Sequence, residues 1–327
     1  MRFILLDTML ILLLLCKIYE MDLAKIIKRK TMFSFEVLPP IKGQSIEGIY
    51  KTIDPLLEFY PQFINITTHC EQYDTNGKRL RKRPGTVAVA SAIHHKYNIP
   101  VVPHILCGGF TREETEYVLI DLHYLGITNL LVLRGDGRNK EHFQPEENGN
   151  RYAIDLLRQI NDMNQGKYLG DTEPNSSAKT SFSCGVAGYP EKHYSASSLD
   201  EDILHLKEKV DAGAQYIVTQ MFFDNQKYFD FVEKCRKVGI TVPIIPGIKP
   251  VGFMSQVDVL PRIFGCKMPD ELDKNLRLCK TDADAAKVGT EWAIYQAKEL
   301  IQYGVPSLHW FTYSDPTQIV DIAKAVY

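Results

Sequence analysis

A carboxylate stands near the end of an apolar stretch at Glu36, within the segment FSFEVLPP that runs from Phe33 to Pro40. Proline fixes φ and has no amide hydrogen to give a sheet ladder. Pro39 and Pro40 therefore mark a strand's exit, and Glu36 faces whatever the exit loops enclose. A carboxyl group there is a candidate general acid, because desolvation favours its neutral form and raises its pKa toward the useful range. The alternative is an ionised carboxylate paired with a nearby Arg or Lys. Other apolar runs end in polar residues of their own, among them Thr67, His104, Asp136 and Gln220. Metal chemistry has little support. His94 and His95 would point about 100° apart on a helix, and neither His-Glu-x-x-His nor Cys-x-x-Cys spacing occurs, so no metal site is expected; His104 and His69-Cys70 are the only conceivable donors.

These side chains need a scaffold that collects strand ends. Apolar, β-rich runs lie at 62–67, 100–106, 129–136, 182–187, 215–220, 241–247 and 308–312, and the opening strand brings them to eight. Between most of them apolar residues recur at three- and four-residue spacing, as over 112–125, 201–212 and 225–238, which predicts helices. Strand then helix at intervals of roughly thirty residues is the pattern of right-handed βαβ units. Eight units predict an α/β protein of the (β/α)8 TIM-barrel type, with the active site at the C-terminal ends of the strands. An open doubly wound sheet is disfavoured, since no Gly-x-Gly-x-x-Gly follows the first strand. Extra short helices are expected between residues 252 and 281, ahead of a long final helix over 282–303. Polar loops are expected over 137–150, where the chain could cover a ligand, and over 165–180 on the opposite rim.

The chain has 327 residues, 45% of them hydrophobic, and a net charge of −2, which suits one substantial core and gives no basic stripe for nucleic acid. Seven cysteines, an odd number without paired spacing, read as reduced thiols in the cytoplasm. The apolar run at 10–15 resembles a leader, but Asp7 interrupts the stretch and no small-residue cleavage site follows. It is also short of the roughly 20 residues that span a membrane. Residues 1–20 are therefore expected to be an extension outside the native protein, with translation starting at Met21 and a single catalytic domain over 21–327.

Eight motifs carry a family resemblance. They are Ser34-Phe-Glu36 with Pro39-Pro40; Pro103-His104; Leu133-Arg-Gly-Asp136; Tyr189-Pro-Glu-Lys-His193; Lys209 to Ala214; Thr219-Gln220 with Phe222-Phe-Asp224; Ile245-Pro-Gly247; and Leu308-His309. In this order and spacing the chain resembles the methylenetetrahydrofolate reductase family in its bacterial, single-domain form. The resemblance implies a flavoprotein that reduces 5,10-methylenetetrahydrofolate to 5-methyltetrahydrofolate, in one-carbon and methionine metabolism, with NADH or NADPH as reductant. It also implies noncovalent FAD lined by Thr67, His104, Arg134, Gly135, Asp136, Ala153, Tyr189, His193, Asp202 and Lys209. Glu36 and Asp136 would be catalytic, the first as acid for opening the folate ring and the second as stabiliser of the resulting cation. Gln220, Phe222 and Gln256 would join these two in holding folate, and relatives are commonly homo-oligomers. Another FAD-containing barrel oxidoreductase, similar to proline dehydrogenase, and a folate-binding barrel without turnover are the alternatives.

The chain departs from the family pattern in three places. Thr68-His69 replaces an aromatic-glycine pair; Tyr313-Ser-Asp315 replaces Leu-Asn-Arg, so an acid stands where an arginine is expected for the folate; and His205 and Glu208 stand where an amide and a basic side chain are usual.

Overall fold

A computed structural model of the chain describes residues 31–68, 72–73, 79–80, 82–135, 143–170, 178–312 and 315–327. The expected start at Met21, and the catalytic role given to Asp136, fall outside the described residues.

The strands are β1 (Met32–Val37), β2 (Phe63–Ile66), β3 (Gln72–Tyr73), β4 (Arg79–Leu80), β5 (Val101–Leu106), β6 (Asn129–Leu133), β7 (Ser183–Gly188), β8 (Tyr216–Thr219), β9 (Ile244–Ile245), β10 (Gly247–Ile248) and β11 (Ser307–Phe311). All but β3 and β4 pair in the order β10-β11-β1-β2-β5-β6-β7-β8-β9, parallel throughout. Only Pro246 separates β9 from β10. The two are one barrel strand broken where proline cannot donate, so the eight predicted strands close into a (β/α)8 barrel. The seam joins the two ends of the chain, with Ser34 opposite His309 and Glu36 opposite Phe311.

Around the barrel run α1 (Glu47–Ile53), α2 (Thr86–Tyr97), α3 (Arg112–Tyr124), α4 (Ala153–Asn164), α5 (Leu199–Asp211), α6 (Asn225–Lys237), α7 (Gln256–Phe264), α8 (Asp270–Leu278), α9 (Asp282–Tyr303) and α10 (Thr317–Val326). Several begin at side-chain caps. In α3, Glu114 N donates to Thr111 Oγ1 at 3.1 Å while Thr111 N donates to Glu114 Oε2 at 2.8 Å, a reciprocal box that satisfies two orphan amides. Ser198 caps α5 by accepting from Glu201 N at 3.1 Å. The two short helices foreseen before the last strand are α7 and α8, which bury Val257, Leu260, Leu272 and Leu276 in a satellite core with Met221 and Phe223. Two features lie beyond the sequence expectations: the antiparallel β3–β4 hairpin, and α10, which follows the helix expected to be last.

Strand alternation makes two cores. Phe33, Phe35, Ile64, Ile66, Ile105 and Trp310 face outward against the helices. Phe63, Val102, Leu131, Tyr216, Val218 and Ile245 fill the barrel interior. Gly185 allows this filling, because a Cβ there would lie 2.1 Å from the Tyr216 ring. Apolar layers thus plug the barrel, and along the β1–β11 seam polar inward residues run from Ser307 to Glu36 near the strands' C-terminal ends.

Candidate active site

Along β1 and β11 the inward positions are Ser34 and Glu36, and Ser307 and His309, and they form a polar ladder up the seam. Ser307 Oγ lies 3.2 Å from Ser34 Oγ, and Ser34 Oγ lies 3.0 Å from His309 Nδ1. His309 Nε2 is 3.8 Å from Glu36 Oε2, and His104 Nε2 approaches the same oxygen at 4.0 Å from β5. Asn65 Nδ2 stands 3.2 Å from His104 Nε2. Packing holds the His309 ring. It stacks on Phe63 with centroids 5.9 Å apart and meets the edge of Phe311. The Glu36 side chain keeps 18% of its surface exposed, so it is screened on its flanks yet reachable from the mouth. Thr312 Oγ1 donates to the Glu36 carbonyl, which fixes the backbone at this point.

Lys249 is the unforeseen member of this end of the barrel. It follows β10, is 6% exposed, and burial pushes its pKa down to about 7 against the opposing pull of the Glu36 charge. The alternative reading of Glu36 had an Arg or Lys nearby, and the basic side chain on which the Glu36 charge acts is Lys249. An isolated lysine after an apolar run reads as a surface residue; the available signal was its even spacing from Gly247 on a strand whose inward face is polar at its end.

A second cluster occupies the exits of β6 and β7. Arg134 Nη2 donates to Tyr194 Oη at 3.0 Å, and its guanidinium carbon lies 5.4 Å from the Phe143 ring centroid. Gly135 has a φ of 86°, a left-handed turn that glycine adopts without strain, and it turns the chain just after the strand. Tyr189 and His193 meet edge to face at 4.7 Å, while His193 N donates to Asp202 Oδ2 at 2.8 Å. Lys209 Nζ donates to the Ala187 carbonyl at 3.2 Å.

The electrostatics of this cluster are one-sided. Burial, reinforced by Arg134, Lys209 and Lys192, pushes the His193 pKa down to about 4. Burial and Arg134 push Lys209 down to about 8, with Asp202 opposing. Burial raises the Asp202 carboxyl. Burial does most of this, Arg134 and Lys209 add to it at His193, and Asp202 offsets it at Lys209. The cluster's forked, point-charge and aromatic donors fit an anionic diphosphate such as that of FAD.

The other predicted site residues are dispersed. Thr67 leaves β2 with its Oγ1 donating to the Val37 carbonyl at 3.2 Å, and Thr68 donates to the His104 carbonyl at 2.9 Å, so both tie strand ends together. Ala153 opens α4 and packs on the outer core. Gln220 follows β8, and its Oε1 accepts from Met221 N at 2.9 Å. Phe222 is fully buried in the outer core, stacked on Tyr228 at 5.4 Å, and is not brought to the mouth. Gln256 is buried, with Oε1 accepting from Gly252 N at 2.7 Å, which ties the loop ahead of α7.

Two of the departures have local explanations. Asp315 Oδ1 accepts from Thr317 N at 2.9 Å and from Thr317 Oγ1 at 2.6 Å, so the acid ties down the first residue of α10. His205 and Glu208 form an exposed pair at 3.3 Å on α5.

Among the described residues no cluster of three or more His, Cys, Asp or Glu could hold a metal, and no helix is long and apolar enough to cross a membrane. The five described cysteines are free, and burial pushes the thiols of Cys107, Cys184, Cys235 and Cys266 up to about 12.

Comparison with known proteins bears on this arrangement. A solved structure described as an uncharacterized protein from Clostridium thermocellum that binds two copies of 5-methyl-5,6,7,8-tetrahydrofolic acid shares the fold, with a TM-score of 0.56 at 15% identity, covering 94% of this chain and 98% of that one. The methylenetetrahydrofolate reductase 1 of Schizosaccharomyces pombe is 32% identical over 287 residues, 87% of this chain and 44% of the relative, so the chain spans about half the length of that protein. The 5,10-methylenetetrahydrofolate reductase of Salmonella typhimurium is 32% identical over 283 residues, 85% of each chain. Residues 22–326 match the family described as methylenetetrahydrofolate reductase, a span that takes in the whole barrel, and the chain accordingly belongs to the methylenetetrahydrofolate reductase family.

Proposed function

We propose that this chain reduces 5,10-methylenetetrahydrofolate to 5-methyltetrahydrofolate, with FAD held noncovalently and NADH or NADPH as the source of electrons. The observation that carries the reading is one barrel end that holds both a reachable carboxyl, Glu36, and a cationic pocket around Arg134 and Lys209. Bound FAD supplies hydride transfer between nicotinamide and folate.

Arg134 and Lys209 hold the diphosphate, the first as a planar fork and the second as a point charge. Tyr189 and His193 give the cofactor an aromatic wall, and His193, neutral at physiological pH, offers a donor or an acceptor. Asp202 orients the His193 backbone and balances Lys209. Glu36 delivers a proton to the ring nitrogen that leaves as the folate ring opens, and the iminium carbon so formed then needs only a hydride. Asp136 lies two residues beyond Arg134 in sequence, and its carboxylate would stabilise the cation formed on opening. Gln220, which carries both a donor pair and an acceptor, suits the amide-like edge of the pterin.

The test is an absorbance spectrum of the purified protein followed by anaerobic titration with NADH, NADPH and methylenetetrahydrofolate. A flavin spectrum bleached by one nicotinamide and restored by the folate is expected. A colourless protein, or a reduced flavin that methylenetetrahydrofolate leaves bleached, overturns the reading. FAD should pass into the supernatant on heat denaturation, and flavin retained by the precipitate contradicts noncovalent binding.

A further inference from the structure

Two histidines approach the Glu36 carboxyl, His104 on β5 and His309 on β11, and the Glu36 charge acts on Lys249, which follows β10. Lys249 is as enclosed as His104, and its direction follows from register. Gly247 pairs with His309 and points inward, since a Cβ there would lie 2.6 Å from the Phe311 ring; Ile248 pairs with Trp310 and packs outward. Carried one residue past β10, the same alternation brings Lys249 inward at the level of Phe311, which itself pairs with Glu36. An ammonium-bearing side chain with 6% exposure is thereby committed to the same enclosed space as the acid. A lysine chain in such a place is costly to bury unless an anion shares the space, and Glu36 is that anion.

We propose, building on the reductase reading, that Lys249 is the proton-carrying partner of Glu36: the two groups hold one proton between them through the neutral range, and Lys249 restores the proton that Glu36 gives up. In the step itself the carbon–nitrogen bond of the folate ring breaks and its electron pair goes to nitrogen. That nitrogen takes the proton of the Glu36 carboxyl. The neutral Lys249 amine then takes a proton from solvent and, as the ammonium, passes it to the carboxylate, so the pair again holds one proton. Lys249 acts through Glu36, so it is a positioning residue for the proton. Burial holds Lys249 near 7, which matches an acid that must both give and regain a proton at neutral pH.

Two measurements test this. In holoenzyme labelled with ¹⁵N at lysine Nζ, the resonance lost in Lys249→Met is expected to titrate near 7, well below the other lysines. In Glu36→Gln it should titrate lower still, because the charge that favours the ammonium is gone. A Lys249 resonance that titrates with the surface lysines, or one unmoved in Glu36→Gln, overturns the pairing. In rapid-mixing measurements of the folate half-reaction against pH, the alkaline limb should move down by about one unit or more in Lys249→Met, since one group then holds the proton that the pair had shared. Lys249→Arg should move it at least as far, because arginine keeps the charge but cannot yield its proton. An unmoved limb in Lys249→Met, or a limb restored by Lys249→Arg, overturns the relay. A wild-type protein that does not turn over methylenetetrahydrofolate defeats the reductase reading, and the lysine titration then still decides the pairing.

Discussion

Glu36 concentrates the chemistry of this site, and its side chain is held by contacts that only the folded barrel makes. Replacement by glutamine keeps the shape and hydrogen-bonding length but removes the transferable proton. Glu36→Gln is expected to keep its cofactor spectrum while the folate half-reaction slows by a factor on the order of 10² to 10⁴, the usual range for a positioned general acid. Stopped-flow measurement of the two half-reactions checks it, and folate reduction at the wild-type rate would remove Glu36 from its role. Asp136→Asn, by contrast, is expected to disturb both halves. Lys209 makes a different prediction. Burial holds its pKa down to about 8, and a bound diphosphate would raise it, so cofactor binding takes up a proton once the pH exceeds that value. FAD affinity is therefore expected to fall as pH rises through about 8, and to lose this dependence in Lys209→Met. Titration of cofactor-free protein with FAD at several pH values decides the point. Glu36 was readable from sequence because two prolines punctuate its strand. Lys249, His309 and Asn65 were less so, since inward direction depends on register, which one strand alone does not reveal.

The elements succeed or fail as predictions for comparable reasons. Parallel strands buried on both faces are near-continuous apolar runs, which is why all eight barrel strands were legible and why their ends drifted by up to three residues. Pro246 was read as an end of its strand and is in fact an interruption that leaves Gly247 and Ile248 in the ladder. The short β3–β4 hairpin has too few residues to show a period. Helix α10 has the required spacing in Ile319, Ile322 and Ala323, yet it follows the last strand so closely that the preceding long helix seemed to finish the pattern. One element contact bears directly on the site. Gly289 in α9 lies so near the Val251 backbone that a Cβ would stand 2.0 Å from the Val251 carbonyl oxygen. The obstacle is main chain, which cannot swing aside. Gly289→Ala is expected to cost about 1–3 kcal/mol through overpacking, and to displace the turn two residues after Lys249. Urea unfolding measures the first effect, and the Lys249 resonance described above reports the second; unchanged values of both would show that α9 can shift freely.

At the scale of the molecule, the barrel is closed by pairing residues from the two ends of the chain, Met32 with Ser307 through Glu36 with Phe311. Contacts of such sequence separation carry a large loop-closure cost, so this seam is the natural place for the sheet to open. Helix α10 and the final residue brace it. Tyr327 Oη donates to the Met32 carbonyl at 3.1 Å, and its ring meets Phe33 edge-on at 5.5 Å. Ile322 is fully buried in the same outer core. Because Ser34, Glu36, Ser307 and His309 all project from the two seam strands, the acid system depends on closure in a way the cationic pocket of β6 and β7 does not. Ile322→Ala removes buried side-chain volume beneath α10 and is expected to cost about 2–4 kcal/mol. Amide hydrogen exchange should then quicken most in β1 and β11, with β5 and β6 affected only through global unfolding. The folate half-reaction should weaken more than FAD binding. Equal acceleration of exchange in all strands would mean that the barrel opens as one unit, and the proposed dependence of the acid on the seam would fail.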